Sequence, residues 1–169
     1  MASAQHAWSP VTPASERFRQ HLLEYLALRR ASVDQLQRRY PGRSEADDTF
    51  RLALGAAIRQ ARRDAHAGDI LCPEMAVLVV AAVQRDLARR DVEERRAIFR
   101  EVPDRPLVRV NDLYPAEAPL ATIPPLLLQQ LDPLPPELQY GFLGTSLILL
   151  DVDTRVIVDV VPHAVRGTT

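Results

Sequence analysis

The chain contains no lysine; all 21 of its basic residues are arginine. That absence removes Schiff-base lysine chemistry and the phosphate-binding lysine of Walker-type sites. A GC-rich genome that encodes basic residues as arginine accounts for the bias more simply than an arginine-specific function. Cysteine is nearly absent too. The single Cys72 excludes an intramolecular disulfide and a cysteine-based metal cluster. It precedes Pro73 at an expected helix start, where thiol pKa values fall. None of the four histidines (6, 21, 66 and 163) stands at a recognisable spacing from it, so a small helix-start residue is expected. Six glycines form no phosphate-cradling loop. Aromatics make up 5% of the chain and the formal net charge is −1, which excludes a basic, stacking surface for nucleic acid.

Long hydrophobic runs are also missing. A membrane-spanning helix needs roughly 20 apolar residues, whereas the longest run, Met75 to Val83, has nine and reads as a buried core helix. The N-terminus shows no basic n-region and no apolar h-region. Ala2 to Gln5, "ASAQ", has the small-x-small form of a signal-peptidase site, which would fit a chain trimmed from an export signal.

What is present fits one globular domain: 169 residues, 47% hydrophobic and 25% charged, the composition of a soluble protein. Residues 1–14 are rich in Pro and Ser and read as an extended arm, with Trp8 packing on the body or on a partner. Residues 15–102 read as four helices. The first starts with Ser15 as N-cap and carries Phe18, Leu22, Tyr25, Leu26, Val33 and Leu36 at helical spacing. The second opens with Ser44 and Asp47 as an approximate capping box, reaches His66 in its last turn and closes at Gly68. Pro73 opens the third at its first position, and Asp91 with Glu94 caps a short fourth. Composition then shifts, with ten of the 14 prolines at or beyond Pro103. Residues 103–137 form an apolar connector that wraps the core, with one alternating strand at 107–111. It also holds a short helix, Pro125 to Gln130, with Thr122 as a possible cap. Residues 138–165 read as a β-meander: Leu138–Leu143, a Gly144-Thr145 turn, Ser146–Asp151, a turn at Asp153, and Val156–Val161. The expected fold is α+β, with four N-terminal helices packed on a small antiparallel C-terminal sheet and residues 15–165 in one domain.

Three groups of residues carry possible chemistry. Asp151, Asp153 and Asp159 are a candidate metal site, since carboxylate oxygens gather around hard cations. "DVDTRVIVD" lacks the spacing of an EF-hand, however, and aspartate before Thr154 also suits a turn. Paired arginines at 29–30, 38–39, 62–63, 89–90 and 95–96 alternate with acids, as on solvated helix faces. His163 could pair with Asp159, but no nucleophile completes a triad, and "GTS" at 144–146 is not a nucleophile elbow.

The stretches "LALGAAIRQARRDAHAGDILCPEMA", "VRVNDLYPAEAPLATIPPLLLQQLDPLPPELQYGFLG" and "LILLDVDTRVIVDVVPHAV" resemble a family of bacterial proteins of unknown function, over about residues 15–165. Most members of that family look exported, and the resemblance implies export here. The end meander also resembles that of small periplasmic proteins of the nickel/cobalt-homeostasis type. The resulting expectation is a non-enzymatic, periplasmic or secreted binding or protein-interaction module without a cofactor. Its partner would be a protein or a second copy, meeting Trp8, Tyr114, Pro124 and Pro125. A metal-dependent hydrolase centred on the three aspartates and a cytoplasmic helical scaffold are the alternatives.

Overall fold

The computed structural model describes residues 12–100, 102–103, 107–118 and 123–165. Helices α1 (Pro13–Arg39), α2 (Asp48–Ala61), α3 (Pro73–Ala88) and α4 (Val92–Phe99) come first. The short α5 (Pro125–Leu128) and the strands β1 (Leu138–Leu143), β2 (Ser146–Asp151) and β3 (Ile157–Val161) follow. The strands form an antiparallel sheet in the order β1-β2-β3. The expected α+β arrangement is therefore what the chain adopts.

Helix ends differ from the sequence reading in instructive ways. Thr12, not Ser15, caps α1 by accepting a hydrogen bond from the Ser15 amide. Pro13 opens the helix, where its missing N–H costs nothing. Ser15 lies inside, buried, and its hydroxyl donates to Asp132. Asp47 is itself the N-cap of α2, with Ser44 outside the helix. This helix stops at Ala61, so His66 and Gly68 belong to the following loop. The α4 capping box forms as expected between Asp91 and Glu94. Thr122 lies outside the described residues, and α5 has Pro124 at its N-cap position.

The sheet is buried on both faces. Tyr140, Phe142, Leu147, Leu149 and Val158 belong to the main core beneath the helices, with Phe18, Leu54, Ile58 and Val83. Leu143, Ile148, Leu150, Ile157 and Val160 form a second core with Tyr114, Val108 and Val110 of the connector. The connector thus covers the face the helices leave open, which explains why it is so apolar. It does so without the expected strand at 107–111. Asn111 takes φ 68, its amide donates to Ile157 O, and Asp112 O accepts from Ile157 N. A left-handed residue there breaks the ladder, leaving one isolated bridge, Leu113 to Val156. Gly144, at φ 55, fills the first position of the β1–β2 turn, where a type II′ hairpin needs a left-handed residue.

One irregularity places a functional-looking residue. The β2–β3 register shifts at Leu149/Leu150, because Leu149 pairs with Asp159 while Leu150 pairs with Ile157. Val158 is the extra residue, and both it and Asp159 turn to the helical side. Without the bulge, strict alternation would send one of them to the connector face.

Candidate functional site

Asp151 is the next inward position of β2 after Leu147 and Leu149, so its carboxylate stands where a core leucine would be expected. It has no solvent exposure. Such a group persists only when fully hydrogen-bonded and paired. Helix α1 provides both, because Tyr25 and Arg29 are one turn apart on its inner face. The Tyr25 hydroxyl donates to Asp151 Oδ2 at 2.7 Å, and Arg29 Nε donates to the same oxygen at 2.8 Å. Asp151 Oδ1 accepts from Thr154 N at 3.0 Å and from Thr154 Oγ1 at 2.8 Å. Burial and the charge of Asp151 hold the Tyr25 hydroxyl protonated far above its ordinary pKa.

Arg29 gathers two further carboxylates. Its Nη2 donates to Asp153 Oδ2 at 2.6 Å and to Glu45 Oε2, so two acids from different loops meet one nitrogen. Burial alone would depress the guanidinium, but its hydrogen bond to Glu45 and the charge of Asp151 hold it above its usual range. Asp153 pays for this crowding. Its pKa is raised, first by burial and then by Glu45 and Asp151, against the lowering influence of Arg29. A recess of about 150 Å³ opens beside Arg29, lined by Leu26, Arg29, Arg30 and Val33 of α1 with Glu45 and Glu137.

Asp159 is held differently. Its two oxygens accept four backbone amides: Gly68 at 2.9 Å and Val160 at 2.7 Å on one, Ile70 and Leu71 at 2.7 Å on the other. Gly68 can offer its amide because it adopts φ 95, a conformation that suits glycine. Arg62 braces the same bulge by donating to Val158 O at 2.8 Å, while its guanidinium stacks over the Tyr25 ring.

The three aspartates therefore do not make one ligand set. Asp151 faces α1, Asp159 faces the loop after α2, and the carboxylates of these two are already saturated by protein donors. Among the described residues no group of three or more His, Cys, Asp or Glu side chains is placed to hold a metal ion. His163 is exposed in a turn, and Asp159 accepts its hydrogen bonds from amides rather than from the imidazole.

The residues expected to meet a partner also separate. Trp8 lies outside the described residues. Tyr114 is buried, with the Arg155 guanidinium over its ring, so it is a core residue and not a surface contact. That correction has a simple cause: the sheet has a second apolar face, and Tyr114 helps to fill it. Pro124 is buried, whereas Pro125 is exposed at the start of α5.

Sequence reasoning assigns no site role to Tyr25, Arg29, Glu45, Thr154 or Glu137. One signal was available: Phe18, Leu22, Tyr25, Arg29 and Ser32 repeat at helical spacing, so Arg29 interrupts the inner stripe. An arginine there needs a buried acid, and β2 supplies it. No helix among the described residues is long and apolar enough to cross a membrane. No protein-family model matches this chain, and neither a curated protein nor a solved structure does.

Proposed function

We propose that the chain is a non-enzymatic binding and protein-interaction module that works as an exported, periplasmic protein. The observation that carries the interaction reading is α5. Leu127 is anchored in the core at 1% exposure, while its neighbours Leu126 and Leu128 stand 65% and 50% exposed. Pro125 is exposed on the same short helix, which packs against α3. Two large apolar side chains held outward on a fixed turn suit contact with an apolar surface of a partner protein. Asp151 and Asp159 are committed to the fold, which supports binding over catalysis. The exported location rests on the family resemblance of residues 15–165.

A photo-crosslinking residue at position 126, with one at exposed Arg38 as control, tests the interaction reading in periplasmic extract. We expect a discrete adduct from position 126 that excess unlabelled protein competes away and the Leu126→Arg variant does not. Equal labelling from both positions, or competition by Leu126→Arg as strong as by the unaltered protein, would overturn it.

A further inference from the structure

We propose that the recess beside Arg29 binds a small zwitterion, an α-amino acid with an aliphatic side chain; this rests on the binding reading and names a ligand for a second surface. Arg29 is 5% exposed, and its Nε and Nη2 are taken by Asp151, Asp153 and Glu45. Its Nη1 has no hydrogen-bond partner among the described residues, yet it is not among the enclosed polar atoms that lack one. Arg29 lines the recess, and in the proposed complex the two Nη1 hydrogens meet the ligand there.

The remaining walls decide the ligand. Leu26, Arg29, Arg30 and Val33 fall at i, i+3, i+4 and i+7 of α1, one continuous stripe with apolar ends and a basic centre. Among the described residues Arg30 and Glu137 form no ion pair. An unpaired charge of each sign therefore borders the recess, beside the acid-rich cluster on Arg29. A bare anion on Arg30 would face Glu137, and a bare cation on Glu137 would face Arg30. A zwitterion satisfies both. Its carboxylate accepts from Arg29 Nη1 and Arg30, its ammonium donates to Glu137 and Glu45, and its side chain lies on Leu26 or Val33. The volume of about 150 Å³ fits a molecule of this size and falls well below the roughly 300–1,000 Å³ of drug-sized sites. Because Asp151, Asp153 and Glu45 outnumber Arg29, an amine is the better of the two single-charge probes.

The experiment is an amide-resolved NMR titration of the full chain with L-leucine to about 20 mM, since millimolar affinity is the scale for so small a ligand. Acetate and n-butylamine are the single-charge controls, with butylamine expected to act more strongly than acetate. We expect saturable shifts at residues 26–33, 45 and 137 with leucine, and roughly tenfold weaker binding of either control. Arg30→Gln and Glu137→Gln, which break no ion pair, should each weaken leucine binding by about tenfold without changing the spectrum elsewhere. No saturable shift at those amides would overturn the proposal. So would leucine binding unchanged in both variants, or butylamine or acetate binding as tightly as leucine. A failed titration leaves the crosslinking test at position 126 standing, so the two readings fall separately.

Discussion

A single nitrogen, Arg29 Nη2, shows how much one residue can decide here. It is shared by Glu45 and Asp153, and burial together with the neighbouring acids Glu45 and Asp151 raises the pKa of Asp153. Asp153 binds its proton more tightly in the folded chain than in the unfolded chain, where its ordinary pKa is 3.8. A raised carboxyl contributes stability that is full below that value and is lost as pH rises through the folded pKa. Asp153→Asn, which keeps an oxygen for Arg29, should therefore stabilise the protein at pH 7. Solvent reaches 38% of the Asp153 side chain, so the gain stays below about 1 kcal/mol. Urea unfolding at pH 7 and pH 4 checks this: the advantage should shrink at the lower pH, and a variant less stable at pH 7 would contradict it. Asp151 is the opposite case. Asp151→Ala strips partners from Arg29 Nε, Tyr25 and Thr154 together, and breaking a buried pair of this kind costs about 3–5 kcal/mol. A shift of the urea midpoint at constant slope would register that loss.

At the scale of elements, close approach and capping set the geometry of the site. Gly55 of α2 lies under the β2–β3 turn, where an added Cβ would sit 3.3 Å from Thr154 Cβ and 3.5 Å from Val156 Cγ2. Larger side chains must push that turn away, and with it the Thr154 donors of Asp151. Gly55→Val should cost about 1–3 kcal/mol through overpacking, and Asp151 amide shifts should change with it. Asp91→Ala, at the exposed α4 capping box, should cost about 1 kcal/mol, measured by thermal unfolding, and leave those shifts alone. The helices and the meander were legible because each carries its own signal: period, caps, a glycine turn and β-branched runs. Residues 107–111 misled because alternation marks a strand only when the backbone stays extended, and Asn111 at φ 68 does not. The site was less legible. Arg29, Glu45 and Glu137 come from a helix, a loop and the residue before β1, and no local pattern in the sequence joins them.

For the molecule as a whole, two buried aspartates fasten the helical half to the sheet. Asp151 binds α1 through Tyr25 and Arg29. Asp159, re-aimed by the β-bulge, binds the loop that leads into α3. The connector closes the other face, tied by Arg155 Nη2 to the carbonyls of Pro115 and Ala118. Acidic residues that looked like ligands for an ion are thus the rivets between layers. The measurement that tests this most directly is the unfolding free energy of Asp159→Asn by urea denaturation at pH 7. The replacement leaves one acceptor for four amides and turns an NH₂ toward two of them. Buried donors without acceptors cost about 1–3 kcal/mol each, so we expect a loss of at least about 2 kcal/mol. Stability equal to or above that of the unaltered protein, the usual result when a strained site residue is removed, would contradict the account.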